Sequence, residues 1–115
     1  MKVIIAGSRT FTDYELLCEK CKNILSATSE VEIVSGGAMG ADKLGEKFAE
    51  ENGYQIARFP ANWNEFGKQA GMLRNQQMAD YADALIVFWD GKSRGTLNMI
   101  ELARKKNMPI RIINF

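Results

Sequence analysis

Apolar and polar positions along this chain follow two alternating rhythms. Short, nearly unbroken apolar runs rich in β-branched residues recur at positions 3–6, 31–34, 55–59, 84–89 and 110–113. Runs of that length and continuity predict strands covered on both faces. Between them apolar residues return every three or four positions, which predicts amphipathic helices. In the first helical stretch Tyr14, Leu17, Cys18, Cys21, Ile24 and Leu25 form one stripe. Thr12 and Glu15 have the spacing of a capping box, with Phe11 and Leu16 placed as its hydrophobic staple. A second helix is predicted over about 40–51, with Ala41, Leu44, Phe48 and Ala49 inward and Asn52-Gly53 as its stop. Gly45 lies in that stripe, where it costs about 1 kcal/mol relative to alanine and implies close backbone packing. A third helix is predicted over about 65–81 and a fourth over 96–106, ended by Asn107 and Pro109.

Strands alternating with helices predict an α/β domain with a parallel sheet and helices on both faces. Right-handed crossovers give a five-stranded sheet of order 3-2-1-4-5, a single Rossmann-like three-layer domain over residues 1–115. The strand order then reverses between strands one and four. That places Gly7-Ser8-Arg9 beside Asp90-Gly91-Lys92, with the Gly36-Gly37 loop flanking them, at the edge where ligands of such sheets bind. One long connection, residues 60–67, precedes the third helix.

Composition narrows the chemistry. The 115 residues are 46% hydrophobic and 25% charged, as in an ordinary globular protein. No apolar run approaches the roughly 20 residues of a membrane span. The opening Met1-Lys2-Val3-Ile4-Ile5-Ala6-Gly7 reads as a first strand rather than a signal peptide. A cytoplasmic protein with no membrane partner is the expectation. Net charge is only +1, so no partnership with a nucleic-acid polymer is expected either. There is no histidine, which removes histidine-based nucleophilic catalysis and histidine-ligated metals. Cys18 and Cys21 sit inside a helix with no further cysteine or histidine to complete a zinc site, so they read as ordinary, partly buried thiols and no metal site is expected.

Candidate chemistry gathers where strands give way to helices. Ser35-Gly36-Gly37-Ala38-Met39-Gly40-Ala41-Asp42 lets the backbone approach a ligand closely, and the following helix directs amides at an anion. It is neither a Walker A loop nor a GxGxxG turn. Asp42, in the first helical turn, either complements the helix dipole or accepts a ribose hydroxyl. Gly7-Ser8-Arg9-Thr10 joins a hydroxyl to a guanidinium able to grip phosphate bidentately. Asp90-Gly91-Lys92-Ser93-Arg94-Gly95-Thr96 offers backbone amides, two cations and Thr96 at a helix start, and Arg74-Asn75 adds a cation from within the third helix. Each has a plainer account: a tight turn, an arginine paired to Asp13, a polar loop with its N-cap. Trp89 reads as core or pocket wall, whereas Trp63 either stacks on a nucleobase or packs under its own loop. The methionines, Met72, Met78 and Met99 among them, read as core or interface filler.

These motifs, together with Phe59-Pro60-Ala61 before Trp63, Ala70-Gly71 before Arg74-Asn75 with Met78, Ala82-Asp83 before Leu85, and Phe88-Trp89-Asp90-Gly91, resemble the YspA-type branch of the SLOG superfamily. SLOG domains are Rossmann-like relatives of the LOG phosphoribohydrolases and of the DNA-uptake protein DprA. The resemblance spans nearly the whole chain and implies binding of a nucleotide or nucleotide-derived signal, in some cases in phage or phage-defence settings. The LOG arginine associated with catalysis has its match in Arg74. Their PGGxGTxxE motif is matched at Gly95 and Thr96, but the second glycine of its PGG element is absent and the catalytic glutamate position holds Met99. A thioether neither moves a proton nor stabilises an oxocarbenium ion as a carboxylate does. Glu101 lies about 200° further around the helix, facing elsewhere.

Three functions follow as expectations. The first is a binding module for a nucleotide-like phosphorylated small molecule seated over Gly36-Gly37 and Gly95-Thr96. Arg9, Arg74 and Lys92 would neutralise its charge; Ser8, Asp42, Asn75 and Asp90 would orient polar groups; Gly7, Ser35, Ala38, Gly40, Gly91 and Ser93 would complete the lining. The second is an enzyme cleaving the N-glycosidic bond of a nucleoside monophosphate, with Arg74 and either Asp90 or Asp42 as its chemical groups. The third is a structural module acting through a homodimer or larger homo-oligomer. No cofactor is required, though Mg²⁺ could accompany the phosphates.

Overall fold

The computed structural model describes residues 1–115. Its elements are β1 (Lys2–Gly7), α1 (Tyr14–Leu25), β2 (Glu32–Ser35), α2 (Ala41–Glu51), β3 (Gln55–Arg58), α3 (Trp63–Phe66), a 3-10 turn (Gly67–Gln69), α4 (Ala70–Tyr81), β4 (Ala84–Trp89), α5 (Arg94–Lys105) and β5 (Ile110–Asn114). The strands form one sheet of order β3-β2-β1-β4-β5, and every pair is parallel. This is the expected Rossmann-like topology, reversing between β1 and β4.

Period-two alternation along β1 sorts its side chains into two cores. Val3 and Ile5 join Leu17, Cys21 and Leu25 of α1 and Phe48 of α2. Ile4 and Ala6 join Met78 of α4 and Met99, Ile100 and Ala103 of α5 on the other face. Gly45 of α2 lies directly on the sheet, where a Cβ would come 2.7 Å from Ile5 Cγ2. Cys21 is buried and Cys18 half-buried, with both thiols free. Burial pushes the Cys21 thiol up to about 12, which leaves it protonated and inert. No helix is long and apolar enough to cross a membrane.

The structure corrects several expected details. β3 and β5 are not covered on both faces, because as edge strands they lie beyond the helices that bury β1 and β4. The cap of α1 is Asp13, whose carboxylate accepts from Leu16 N at 3.1 Å, rather than Thr12 with Glu15. The expected third helix is broken into three pieces, since Gly67 takes φ +58°, a left-handed conformation that ends α3. α5 starts at Arg94, not Thr96, because Ser93 is its N-cap. Met78 and Met99 are core, but Met72 of α4 is 60% exposed.

Candidate functional site

The carboxyl-terminal edge of the sheet opens into a cleft of about 240 Å³ between the end of β1, the start of α2, and helices α4 and α5. Arg74 of α4 reaches across it. Its Nη1 donates to the carbonyl of Gly36 at 2.6 Å and its Nε to Asn75 Oδ1 at 3.1 Å. The glycine is needed for this contact: a Cβ at position 36 would lie 2.6 Å from Arg74 Nη1 and 2.9 Å from Asp42 Oδ2. Asn75 in turn donates to Gly95 O at 3.2 Å and Asn98 Oδ1 at 2.9 Å, tying α4 to the first turn of α5. Burial pulls the Arg74 pKa down from its ordinary value, Asp42 opposes that shift, and the like charge of Arg9 adds to it.

Asp42 lies at the back of the cleft, almost wholly buried. Burial pushes its carboxyl up to about 6, against the hydrogen bond from Ala38 N and the charge of Arg74, both of which favour the anion. Neither Arg9 nor Arg74 has a carboxylate within ion-pair distance; the ion pairs lie elsewhere, at Glu46, Glu50 and Asp80. Two cations therefore meet in one cleft wall without an ion-pair partner, Arg74 being hydrogen-bonded to Gly36 O and Asn75 Oδ1. Lys68 lines the same wall.

The glycine-rich loop serves the fold more than the cleft. Ser35 Oγ, buried, donates to Glu46 Oε2 at 2.6 Å and accepts from Gly37 N at 3.1 Å. The Ala38 amide is spent on Asp42 and the Ala41 amide on Ser8 O, at 3.3 Å. Ser8 is buried as well, its Oγ accepting from Asp90 N at 3.1 Å. Asp90 turns back on its own loop, accepting from both Lys92 N and Ser93 N at 2.8 Å, and these two amides hold its carboxyl below the usual range. Trp89, half-buried, donates from Nε1 to Ser93 O at 3.1 Å. The amides expected to cradle an anion at Gly37, Ala38, Lys92 and Ser93 are thus already occupied. Those of Arg94 and Gly95 have no intramolecular partner, as the first turn of a capped helix leaves them.

Gly7, Arg9, Ala38, Asp42, Arg74, Asn75, Ser93, Gly95 and Thr96 line this first cleft. Gly36 and Gly37 line a second, of about 340 Å³, on the other side of their loop, which shares Arg9, Ala38, Trp63 and Arg74 with the first and adds Lys43, Glu46 and Arg58. Ser8, Ser35, Gly40, Asp90, Gly91 and Lys92 lie on neither cleft wall. Lys92 and Arg94 are exposed on the outside of their loop. Met99 is buried against the floor, beside Thr96. Lys68 belongs to no motif of the sequence and Gly71 entered only with the family resemblance, yet positions 68, 71, 75 and 78 are spaced three, four and three apart, as on one helix face turned to the cleft. No group of three or more metal-ligating side chains is present.

The fold is shared with solved proteins of low sequence identity. DNA processing protein A (DprA) from Streptococcus pneumoniae superposes with a TM-score of 0.78 at 19% identity, covering 99% of this chain and 50% of that protein. DprA from Helicobacter pylori gives 0.66 at 22% identity, over 97% of this chain and 64% of that protein. The chain therefore spans about half to two thirds of the DprA chains it matches. The Helicobacter protein is described by its single-stranded DNA binding mode. The expectation that a nucleic-acid polymer is no partner is corrected accordingly: near-zero net charge does not exclude such a partner, since local cations rather than the total meet the phosphates. The Gene 61 protein of Mycobacterium phage D29 is 32% identical, over 99% of this chain and 95% of its own length. A model of the YspA, cpYpsA-related SLOG family matches residues 1–66. Matched by that family over its first three strands and by the phage protein almost end to end, the chain belongs to the YspA, cpYpsA-related SLOG family.

Proposed function

We propose that this protein is a binding module for a nucleotide or nucleotide-derived phosphorylated small molecule, held in the cleft between α4 and α5. The observation that carries this reading is the meeting of Arg9 and Arg74, both without carboxylate partners, near the unpartnered first-turn amides of α5. Guanidinium groups and helix N-terminal amides are the two protein devices best suited to a phosphate. In this reading Arg74 is held ready by Gly36 and Asn75, and Thr96 and Ser93 border the seat. Mg²⁺ would enter only with the phosphates it accompanies. The module works in the cytoplasm, where its two thiols stay reduced.

Hydrolysis is the weaker reading on chemical grounds. The floor of the cleft presents the Met99 thioether where a LOG enzyme has its glutamate, and the Asp90 carboxylate is taken up by two amides. Asp42 is the one acid left on the cleft wall. A second binding reading, in which the cleft takes a phosphate of single-stranded DNA, is favoured by the fold shared with the Helicobacter protein.

Calorimetric titration with nucleoside monophosphates and with a single-stranded oligonucleotide tests both. Binding without release of free base is the expected result. Arg74→Ala should weaken it by about tenfold or more while the circular dichroism spectrum is retained, as the loss of charge-assisted hydrogen bonds requires. Unchanged affinity in that variant removes Arg74 from the seat, and released base returns the hydrolase reading.

A further inference from the structure

Trp63 lies outside both hydrophobic cores and is 50% exposed, yet its place is fixed. Asn62 caps α3 by accepting from Glu65 N at 3.1 Å, which makes Trp63 the first residue of that helix. The indole edge then rests on Gly71 of α4, where a Cβ would come 3.3 Å from Trp63 Cη2 and 4.0 Å from Cζ2. Trp63 stacks on no other aromatic ring; the aromatic pairs of this protein are formed by phenylalanines and tyrosines. A half-exposed indole gains only part of the burial energy of a core aromatic, so folding alone gives a thin account of why it is held there.

Its surroundings give a fuller one. Trp63 walls both clefts, on the ridge they share with Arg9, Ala38 and Arg74. Met72, exposed on α4, lines the first cleft with it and supplies a polarisable thioether. A flat aromatic surface thus adjoins two guanidinium groups that have no carboxylate partner within ion-pair distance. A planar ring joined to a phosphate complements that pairing, and a bare phosphate or a sugar phosphate uses only half of it.

We propose that Trp63 is a base-stacking residue, so that the site selects ligands in which a nucleobase adjoins a phosphate over sugar phosphates and inorganic phosphate. The proposal rests on the phosphate seat described above and adds a separate determinant to it. The base comes either from a free nucleotide or from a single strand, and both present the same ring beside the same charge.

The test uses the whole chain with AMP, UMP, ribose 5-phosphate, inorganic phosphate and a short oligothymidylate as probes, read by calorimetry and by tryptophan fluorescence. Trp63 and Trp89 are the two tryptophans, so quenching that disappears in Trp63→Leu belongs to Trp63. Base-bearing probes should quench and should bind wild type about 10- to 100-fold more tightly than ribose 5-phosphate. Trp63→Leu should remove that advantage and leave ribose 5-phosphate unaffected; Trp63→Phe should restore most of it. Gly71→Ala, which displaces the indole and leaves it intact, should give an intermediate loss. Quenching and Trp63 dependence with the oligothymidylate alone support stacking and identify a strand as the source. Equal affinities for AMP and ribose 5-phosphate, both still lost in Arg74→Ala, overturn the stacking proposal and leave the phosphate seat standing. No binding of any probe overturns both.

Discussion

Asp42 shows how one residue couples the fold to the cleft. Its carboxylate holds the Ala38 amide and faces Arg74, but it sits in a place where charge is poorly solvated, and burial outweighs both attractions. The folded state therefore binds this proton more tightly than the unfolded chain, whose carboxyl titrates near the ordinary 3.8. The associated stability is fully present below that value and is lost as pH rises through about 6. Asp42→Asn keeps an acceptor for Ala38 N without the ionisable proton. Relative to wild type it should gain about 2–3 kcal/mol between pH 4 and pH 7.5, with the change concentrated between 4 and 6.5. Urea unfolding of both proteins across that range measures it. A difference that does not vary with pH would show that the pairing with Ala38 N and Arg74 fully offsets the burial, and one of opposite sign that it outweighs it.

At the scale of elements, the strands were legible because each falls in a short, largely apolar run, interrupted by polar residues where β3 and β5 face solvent as edge strands, and their order follows from handed crossovers. The C-terminal ends of α2, α4 and α5 were legible too, but the N-terminal caps of α1 and α5 were not, because neighbouring oxygens compete for the same amides. Thr12 and Asp13 both precede α1, and the chain turns so that the Asp13 carboxylate meets Leu16 N. Ser93 and Thr96 compete in the same way at α5, and Ser93 is the cap. The glycine loops were found by composition, but whether their amides are free was hidden. That depends on Ser35 and Asp42 folding back on Gly37 and Ala38, a matter of side-chain reach across a turn. Lys68 escaped notice because no motif marks it: a lone lysine on a helix is ordinarily a solvated charge, and its place on the cleft wall depends on tertiary packing. The cap at α5 has a measurable consequence. Ser93→Ala removes the acceptor of Thr96 N and should cost about 1 kcal/mol in urea unfolding. The trace of Asp90 through Lys92 N should survive it, since that turn is held by the aspartate.

On the scale of the whole molecule, the cleft is the place where distant parts of the chain are fastened together. Arg74 to Gly36 joins α4 to the loop after β2, Asn75 to Gly95 joins α4 to α5, and Ser8 to Asp90 joins the loops after β1 and β4. These ties cross the sheet at its reversal point, so the two halves of the doubly wound fold share one polar seam. A ligand touching Arg9, Arg74 and the Gly95 amide would add a fourth tie across the same seam, and its binding energy would appear as stability of the entire domain. At 100 times its Kd such a ligand adds about 2.7 kcal/mol, which for a domain of this size is a rise of roughly 10 °C in unfolding midpoint. Hydrogen exchange should then slow on both sides of the seam, in residues 36–42 and in residues 93–97 together. Slowing confined to residues 36–42 would instead place the ligand in the second cleft, beside Arg58 and Lys43, where Glu46 already engages both cations and leaves an incoming phosphate far less to gain.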